Sequence, residues 1–377
     1  HICFSSLTAG SAFNFLGRLV RREKEYVIED AVVVSTVLGY RQDPDHPGCC
    51  LKNTQRGGEV KQFVRGGRGI TLAGGGRSVS ESCLQMLDSE EVTFITDTLG
   101  YEETAILSPD ERCAVCMSPR FSPGTDMGIL GVVPLTGDLP TRGRYLNVLY
   151  QYAIAGVRTF RSGNIGPALI DVERSMKEGR GYRGVNLSDP ENRWVYYSPM
   201  SWHPDSTRAL WNERTRLSEG PVQCRLRVCR LLDRLPSEPV PPQPTPDGKD
   251  IPYAEPLSSV LAPAAVSYPL TVHGKCGTVV NQPAEENFFE TRYNHYSEDG
   301  ETFYDGFLRV QTPANMFQPG KTVIESDLHV SGAHSGRMNL RLVMQADEHF
   351  QVHPDLEQSY GSAEYDGLLR EMKEIFP

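Results

Sequence analysis

Two segments of this chain, 95 residues apart, share one pattern that constrains the fold more than any other feature. Residues 103–119 read ETAILSPDERCAVCMSP, and residues 198–214 read SPMSWHPDSTRALWNER. In each segment a Pro-Asp pair separates two apolar runs. Proline fixes φ at the second position of a turn, and an aspartate carboxylate accepts hydrogen bonds from nearby backbone N–H groups. The pattern therefore predicts two β-hairpins, closed at Pro109-Asp110 and Pro204-Asp205, which need no ligand.

The spacing of these hairpins indicates a repeat architecture. A separation of 95 residues is about two units of a 40–50-residue repeat, which is the length of a propeller blade. Four further runs read as strand, short turn and strand: 15–34, 83–95, 146–160 and 226–240. Four-stranded sheets arranged around an axis would produce this order. With 35 glycines and 27 prolines available for turns, the chain is predicted to be all-β.

Residues 94–118 and 200–211 resemble the TolB-type, WD40-like (PD40) β-propeller repeat. Ile95-Thr96 and Ser108-Pro109-Asp110 match the repeat motif. Three positions depart from it: Glu111, His203 and Ser206. The resemblance covers about residues 1–240 and implies a propeller of six or seven four-stranded blades, some of them degenerate. It also implies a periplasmic or secreted protein, in a family that includes binding and assembly modules and propellers attached to hydrolases.

The chain divides into four segments, of which the propeller occupies 1–235. Residues 236–269 contain ten prolines in 34 positions, which predicts an extended strap across the surface. Polar–apolar alternation in 270–350 predicts antiparallel strands, in either a β-sandwich packed on the propeller or one or two additional blades. The tail, 351–377, has apolar residues at helical spacing, which predict a terminal amphipathic helix over 363–376.

Charge and composition limit the classes of partner. The 48 acidic residues outnumber the 38 basic ones, giving a net charge of −10. That balance argues against a nucleic-acid or anionic-membrane binder, because phosphate binding needs a basic surface. No stretch approaches the roughly 20 apolar residues that span a bilayer. The resemblance to the TolB-type repeat implies a protein or carbohydrate ligand instead.

The nine cysteines follow no zinc-binding spacing. Cys49-Cys50 could form a strained vicinal disulfide or pack as free thiols, and packing is the preferred interpretation. The cysteine pattern leaves the redox compartment open.

The resemblance places the start of each innermost strand at the mouth of the propeller channel. Six residues are expected there: Tyr101, Glu102, Glu103, Asn164, Ser198 and Met200. The two adjacent carboxylates could bind a cation or act as general acid and base if they are buried unequally. Alternatively, one faces solvent and the other caps a turn. The remaining four are candidates for ligand binding.

His203 is a third catalytic candidate because it stands where the repeat has serine. Its place in the Pro-Asp turn, past the channel mouth, favours a structural role instead. Asp205 is predicted to be a turn residue.

The loop 39–50 is a candidate metal site. Asp43, His46 and two thiols lie within eight residues, and oxygen, imidazole and sulfur ligands so close together could hold a divalent metal ion. Pro44 and Pro47 break the spacing of known metal loops, so a plain turn is the alternative.

A second small cluster contains Asp327, His329 and His334. Asp327 and His329 share a strand face, and His334 falls in the following glycine-rich turn. Two histidines facing each other across a hairpin could bind zinc or copper, although no third ligand is evident from the sequence.

Two functional hypotheses follow. The first is an extracytoplasmic propeller that recognises a protein or glycan ligand at one end of its channel. The second is a propeller enzyme, a hydrolase or lyase assisted by a metal, with its site at the channel mouth. The sequence contains no Gly-x-Ser-x-Gly, His-Glu-x-x-His or Gly-x-x-x-x-Gly-Lys motif that would decide for a particular enzyme class.

Overall fold

A computed structural model of the protein describes residues 1–8, 11–75, 80–122, 150–261, 266–313, 319–349 and 351–375. Strands make up 49% of the structure and helices 12%, so the predicted all-β class is confirmed. None of the described helices has the length and apolar character that crossing a membrane would require.

Four small antiparallel sheets, numbered I to IV, follow one another along the chain. Sheet I contains β1 (Ile2–Thr8), β2 (Ser11–Arg22), β3 (Glu25–Val33) and β17 (Glu255–Pro256). Sheet II contains β6 (Glu59–Val64), β7 (Gly69–Gly75), β8 (Glu81–Met86) and β9 (Val92–Phe94). Sheet III contains β10 (Glu103–Leu107), β11 (Cys113–Met117), β12 (Ala168–Asp171) and β13 (Val185–Asn186). Sheet IV contains β14 (Val195–Trp202), β15 (Arg208–Arg214) and β16 (Cys224–Arg230).

Both Pro-Asp hairpins are present as predicted. β10 pairs with β11, and β14 pairs with β15. Ser108 Oγ donates a 2.6 Å hydrogen bond to Asp110 Oδ1, and Thr207 N–H donates one of 3.0 Å to Asp205 Oδ1. The aspartates therefore hold the two turns, which is the role that turn chemistry predicts.

Neighbouring sheets pack through their leading strands. β1 contacts β6, β6 contacts β10, and β10 contacts β14. The largest hydrophobic core lies between sheets III and IV and a fifth, larger sheet, and it includes the buried side chains of Tyr196 and Trp211. Within the described residues the small sheets do not close into a propeller, so the predicted six or seven blades are not confirmed.

Sheet V has eleven strands and combines the C-terminal part of the chain with one hairpin from the N-terminal part. Its strands are β4 (Tyr40–Gln42), β5 (Cys50–Lys52), β18 (Leu270–His273), β19 (Cys276–Pro283), β20 (Phe289–Ser297), β21 (Thr302–Gln311), β22 (Gly320–Gly332), β23 (Gly336–Ala346), β24 (Val352–Pro354), β25 (Tyr360–Tyr365) and β26 (Leu368–Glu371). Along the sheet the order is β26-β25-β23-β22-β21-β20-β19-β18-β5-β4, and β24 also pairs with β23. Alternation predicted the individual strands of 270–350, but these join the tail in one sheet instead of forming a sandwich or separate blades.

The predicted helix over 363–376 is wrong for most of its length. β25 and β26 form an antiparallel hairpin there, joined at Asp366-Gly367. Both turn residues have positive φ, 50° and 78°, as a two-residue type I′ turn requires. The Asp-Gly pair thus overrides the helical spacing of the apolar residues, and only Met372–Ile375 is helical.

Two other predicted hairpins differ from the structure. In 146–160, whose first four residues lie outside the described part, Tyr150–Ala155 forms a π-type turn of helix and Gly156–Thr159 a short α-helix, α1. Their apolar side chains are buried on several sides, and such a run cannot be told from a strand by periodicity alone. In 226–240 only β16 forms, and no second strand follows it.

The proline-rich segment, 236–269, runs back across the four small sheets. Three backbone hydrogen bonds tie it to their turns: Ser237 N–H to Asp205 O at 3.1 Å, Val240 N–H to Pro109 O at 2.8 Å, and Gln243 N–H to Gly66 O at 2.7 Å. It then supplies β17, which pairs with β3. The segment therefore contacts sheets IV, III, II and I in that order.

The remaining helices are short connectors. Among the described residues the longest is α2 (Val172–Glu178), whose first turn is capped by Asp171 Oδ1 accepting from Arg174 N–H at 2.9 Å. Another four-residue α-helix, α3 (Met372–Ile375), ends the described chain. The 3-10 helices are Arg65–Gly67, Gly179–Gly181, Leu217–Glu219, Gly248–Asp250, Leu257–Val260 and Glu285–Asn287.

Candidate functional site

The loop between β4 and β5 is a tightly closed turn. Asp43 N–H donates to the carbonyl of Cys49, and Cys49 N–H donates to the carbonyl of His46, both at 3.0 Å. Asp43 Oδ1 accepts from Asp45 N–H at 2.9 Å. Gly48 has a φ of +87°, a conformation that favours glycine. These bonds fix the Asp43 and His46 side chains on the same side of the loop.

Pairing between β5 and β18 brings a third polar side chain to this loop. The two strands run parallel, with Val272 opposite Cys50 and His273 opposite Leu51. Cys50 and Val272 pack into a small hydrophobic cluster with Leu270. The register of this pairing places His273 beside the turn that follows β4.

Asp43, His46 and His273, together called the seam site, form a compact group. Oδ2 of Asp43 lies 2.9 Å from Nδ1 of His46 and 2.8 Å from Nδ1 of His273. The imidazole rings meet edge to face, with centroids 4.2 Å apart and an interplanar angle of 79°. One ligand atom from each residue lies within 4.8 Å of the others. Two imidazoles and one carboxylate form a donor set that suits first-row transition metals.

The Asp43 carboxylate is enclosed while the histidines are more accessible. Its side chain is 3% exposed, against 19% for His273 and 60% for His46. Burial acts to raise the pKa of Asp43, but hydrogen bonds from Asp45 N–H and the two imidazoles outweigh it and lower the pKa to about 2. The Asp43 carboxylate is therefore ionised at neutral pH.

The sequence identified Asp43 and His46 as metal-ligand candidates but missed His273. No local signal could have found it, because His273 ends an ordinary strand 230 residues beyond Asp43. Conversely, the adjacent thiols do not join the group. Cys50 packs into the hydrophobic cluster, and both Cys49 and Cys50 are free.

The second predicted metal cluster does not form in the described part of the chain. Nε2 of His329 lies 3.6 Å from Oδ1 of Asp327 on the exposed face of β22. His334 instead bonds through Nδ1 to Oδ2 of Asp366 at 2.7 Å. Each histidine has its own carboxylate, and among the described residues neither belongs to a group of three candidate ligands.

A cavity of about 1080 Å³ lies beside the seam site. It opens between sheet V, the edge strand β9 of sheet II and the α2 region of sheet III, and both His273 and His334 line it. The lining carries five basic side chains, Arg41, Lys52, Lys177, Arg180 and Lys275. It also carries five carboxylates, Asp97, Glu178, Glu298, Asp299 and Asp366.

Many of the charged groups in this cavity are already paired. Lys52 Nζ lies 2.6 Å from Oε1 of Glu298, which also accepts from the Tyr296 hydroxyl at 3.1 Å. Arg180 Nε lies 3.3 Å from Oδ1 of Asp97. The cavity therefore presents balanced charges and not a field of one sign.

The far wall of the cavity combines an arginine, aromatic rings and a His–Asp pair. The Arg180 guanidinium lies 4.1 Å from the centroid of the Tyr365 ring. Tyr365 and Tyr304 are hydrogen-bonded to each other, and burial raises the pKa of both hydroxyls, which keeps them protonated. The His334 ring lies 5.4 Å from that of Tyr365, and Asp366 Oδ1 accepts from Ser335 N–H at 3.0 Å.

The channel-mouth residues predicted from the resemblance lie elsewhere, in or just before strands of sheets III and IV, and among the described residues none of them lines this cavity. Glu102 is 1% exposed and forms a buried ion pair with Arg120, at 2.5 Å between Oε2 and Nη2. The Ser118 hydroxyl also donates to Glu102. This arrangement is that of a structural ion pair.

Glu103 differs from its neighbour. Burial raises the pKa of its carboxyl group, while the positive charges of Lys61 and Arg158 act to lower it. Its Oε2 atom is buried and has no hydrogen-bond partner among the described residues. Tyr101 packs nearby, and Arg158 stacks on Tyr197, next to Ser198. The starts of β10 and β14 therefore lie close together.

The other predicted site residues have structural contacts. Asn164 is 3% exposed and accepts from Ile165 N–H through Oδ1 at 2.9 Å. His203 lies in the β14–β15 turn, with Nδ1 2.7 Å from Oδ1 of Asp205. Met200 is in β14, and its side chain lies outside the described part of the structure.

Comparison with known proteins does not assign a family. No protein-family model matches the chain, and no curated protein shows significant similarity to it. The likeness to the TolB-type repeat thus rests on the two Pro-Asp hairpins, and it stays a prediction.

Proposed function

We propose that this protein is a binding module that takes a neutral oligosaccharide in the cavity between sheet V and the small sheets. The observation that carries the proposal is the balance of charge in a cavity of about 1080 Å³, with five basic and five acidic side chains. Ligand sites are usually the large concave pockets that carry a few convergent polar groups, and this cavity is at the upper end of their usual size.

Pairing of the charged groups favours a neutral ligand. Lys52 is held by Glu298 and Arg180 by Asp97, so a charged ligand would have to break existing ion pairs. Sugar hydroxyls both donate and accept hydrogen bonds, and they can pair with carboxylates, guanidinium groups and phenols in turn. Among the lining tyrosines, Tyr304 is half-buried and offers a phenol and aromatic surface, whereas Tyr296 and Tyr365 are only 1% and 4% exposed.

The proposal also covers the architecture of sheets I to IV and the cellular location of the protein. We propose that sheets I to IV are degenerate blades of a TolB-type propeller that works outside the cytoplasm, in the periplasm or as a secreted protein. The meander order of the sheets supports the blade assignment. The ligand, however, is assigned to the cavity beside sheet V and not to a channel mouth.

A ligand screen tests the proposal. Thermal-shift measurements with neutral oligosaccharides, acidic oligosaccharides and peptides should give the largest stabilisation with a neutral oligosaccharide, whose affinity is then measured by calorimetry. Arg180→Met should weaken that binding at least about 10-fold, because the guanidinium spans Asp97 and Tyr365. Arg18→Met is the matched control, since Arg18 is exposed on β2 and pairs with Asp30 at 2.8 Å, and neither residue lines the cavity.

Two results would overturn this assignment. One is preferential binding of a polyanion, which would contradict the charge argument. The other is a neutral ligand whose affinity is the same in the Arg180→Met and Arg18→Met proteins, which would place the binding surface elsewhere.

A second candidate function is a hydrolase or lyase acting in the same cavity. The observation that favours it is the His334–Asp366 pair, because a carboxylate that fixes Nδ1 of a histidine orients Nε2 for general acid–base chemistry. In an enzyme, His334→Gln would abolish turnover of the bound oligosaccharide and leave its affinity unchanged. A bound sugar recovered intact from the native protein would count against this alternative.

A further inference from the structure

We propose that Asp43, His46 and His273 bind one divalent transition-metal ion, with Zn²⁺ the first candidate, and that the ion fastens the β4–β5 loop to the C-terminal sheet. The inference does not depend on the oligosaccharide proposal, because it rests on the contacts among the three residues, of which only His273 lines the cavity. It predicts a structural metal site where the β4–β5 loop of the N-terminal part meets strand β18 of the C-terminal part.

Three donor atoms already converge on one point. Nδ1 of His46 and Nδ1 of His273 both face Oδ2 of Asp43, at 2.9 and 2.8 Å. Zinc binds imidazole nitrogen at 2.0–2.1 Å and carboxylate oxygen at 2.0–2.2 Å, so neighbouring ligands of a tetrahedral ion are about 3.3 Å apart. The two short separations need to open by only about half an ångström to admit the ion.

His46 is the ligand that would move to admit the ion, and its position in the loop allows this movement. His46 is the most exposed of the three, with 60% of its side chain accessible, and it lies in the loop after β4. Asp43 is held by the loop backbone and is 3% exposed, so it provides the fixed ligand. In the metal-bound form both imidazoles coordinate through Nδ1 and carry their proton on Nε2, and water completes a tetrahedron.

The position of the site explains what the ion would do. β5 and β18 pair over only two residues, and this is the only parallel pairing among the described strands. A metal bound to Asp43 and His46 on one side and to His273 on the other would cross-link this short junction. An ion that binds only the folded chain stabilises it in proportion to its concentration and affinity.

Other His–Asp pairs of the chain show what distinguishes the seam site. His203–Asp205 and His334–Asp366 have the same Nδ1–carboxylate contact, at 2.7 Å each. Among the described residues, only the seam site adds a third ligand within 4.8 Å. His203 therefore supplies a matched control for substitution of His46, because both are exposed histidines in turns.

The experiment uses the full chain without a polyhistidine tag. After treatment with a chelator and dialysis, Zn²⁺ or Co²⁺ is titrated, bound metal is counted by elemental analysis, and the unfolding temperature is measured. We expect one Zn²⁺ per chain, an unfolding temperature raised by several degrees, and a tetrahedral visible spectrum for Co²⁺. His46→Ala should weaken Zn²⁺ binding at least about 100-fold, because loss of an outer-shell partner alone costs 10- to 100-fold.

Two control variants distinguish a metal site from a simple hydrogen-bond cluster and from the oligosaccharide site. His203→Ala should keep full Zn²⁺ affinity, and Arg180→Met should lose oligosaccharide binding without losing the metal. The inference is wrong if the native chain binds no stoichiometric metal, or if His46→Ala and His203→Ala bind it equally; in both cases the three residues form a hydrogen-bond cluster only. Because His46→Ala removes an exposed side chain, the variant should fold normally. Weaker Zn²⁺ binding can then be attributed to the lost ligand.

Discussion

Nδ1 of His273 lies 2.8 Å from Oδ2 of Asp43, although 230 residues separate them in the chain. The contact joins a loop that follows the first small sheet to the strand that begins the C-terminal sheet. It depends on the two-residue parallel pairing of β5 with β18, and therefore on the docking of two distant parts of the chain.

Removal of this contact should loosen the loop without unfolding the protein. In His273→Ala, the amides of Asp43 and Cys49, which hydrogen-bond across the turn, should exchange with deuterium faster than in the wild type. Hydrogen-exchange mass spectrometry of peptides covering 40–52 measures the effect. His203→Ala should leave these peptides unchanged, and equal exchange in both variants would show that His273 does not hold the loop.

Replacement of Glu102 and of Glu103 by neutral glutamine should have different effects on the free energy of unfolding. Glu102→Gln leaves Arg120 buried beside a neutral group, and loss of one partner of a buried ion pair costs about 3–5 kcal/mol. Glu103→Gln should be neutral or slightly stabilising, because burial raises the pKa of Glu103 and disfavours its charged form.

Urea unfolding at pH 7 measures both effects. Similar losses of free energy of unfolding in the two variants would contradict the distinct environments of the carboxylates. Neither variant should change oligosaccharide affinity, since both residues lie outside the cavity.

The protein should lose stability at acid pH as Asp110 becomes protonated. Burial acts to raise its pKa, but hydrogen bonds from Ser108, Ser237 and Arg234 and from the backbone outweigh it and lower the pKa to about 2. An unfolded aspartate titrates near 3.9, so the stabilisation is fully present above about pH 4 and is lost as the pH falls toward 2.

Comparison with Asp110→Asn isolates this contribution. The difference in free energy of unfolding between wild type and variant should be constant from pH 5 to 7 and shrink below about pH 4. Denaturant unfolding across that range provides the measurement. A difference that grows on acidification would contradict the assigned hydrogen bonds.

Gly306 should tolerate substitution less well than Gly48. Both have positive φ, 120° and 87°, which costs a side chain about 1–3 kcal/mol. A Cβ at Gly306 would also overlap the carbonyl oxygen of Asp327 in the neighbouring strand β22, whereas a Cβ at Gly48 meets open space. Gly306→Ala should therefore lose at least about 3 kcal/mol and Gly48→Ala about 1 kcal/mol, as measured by urea unfolding. Equal losses would mean that β21 and β22 can separate locally.

Features that depend on neighbouring residues were predictable. The Pro-Asp turns at Asp110 and Asp205 form as expected, because their hydrogen bonds reach only two or three residues along the chain. The Asp299-Gly300 turn between β20 and β21 has the same kind of local hydrogen bond, with Asp299 Oδ1 accepting from Thr302 N–H at 2.8 Å. At Asp366-Gly367 the helix prediction was wrong because it relied on the spacing of the apolar residues, whereas the Asp-Gly turn decides the local structure.

What the sequence by itself determined is the strand content, most hairpin turns, and the presence of Asp43 and His46 in one loop. Tertiary structure alone decided which strands became neighbours, and so it placed His273 at the seam site and opened a cavity beside sheet V. Turn hydrogen bonds act between adjacent residues and leave a local signature, whereas the docking of strands is a long-range burial of apolar surface. Many strands could satisfy that burial equally well, and only the packed chain selects one arrangement.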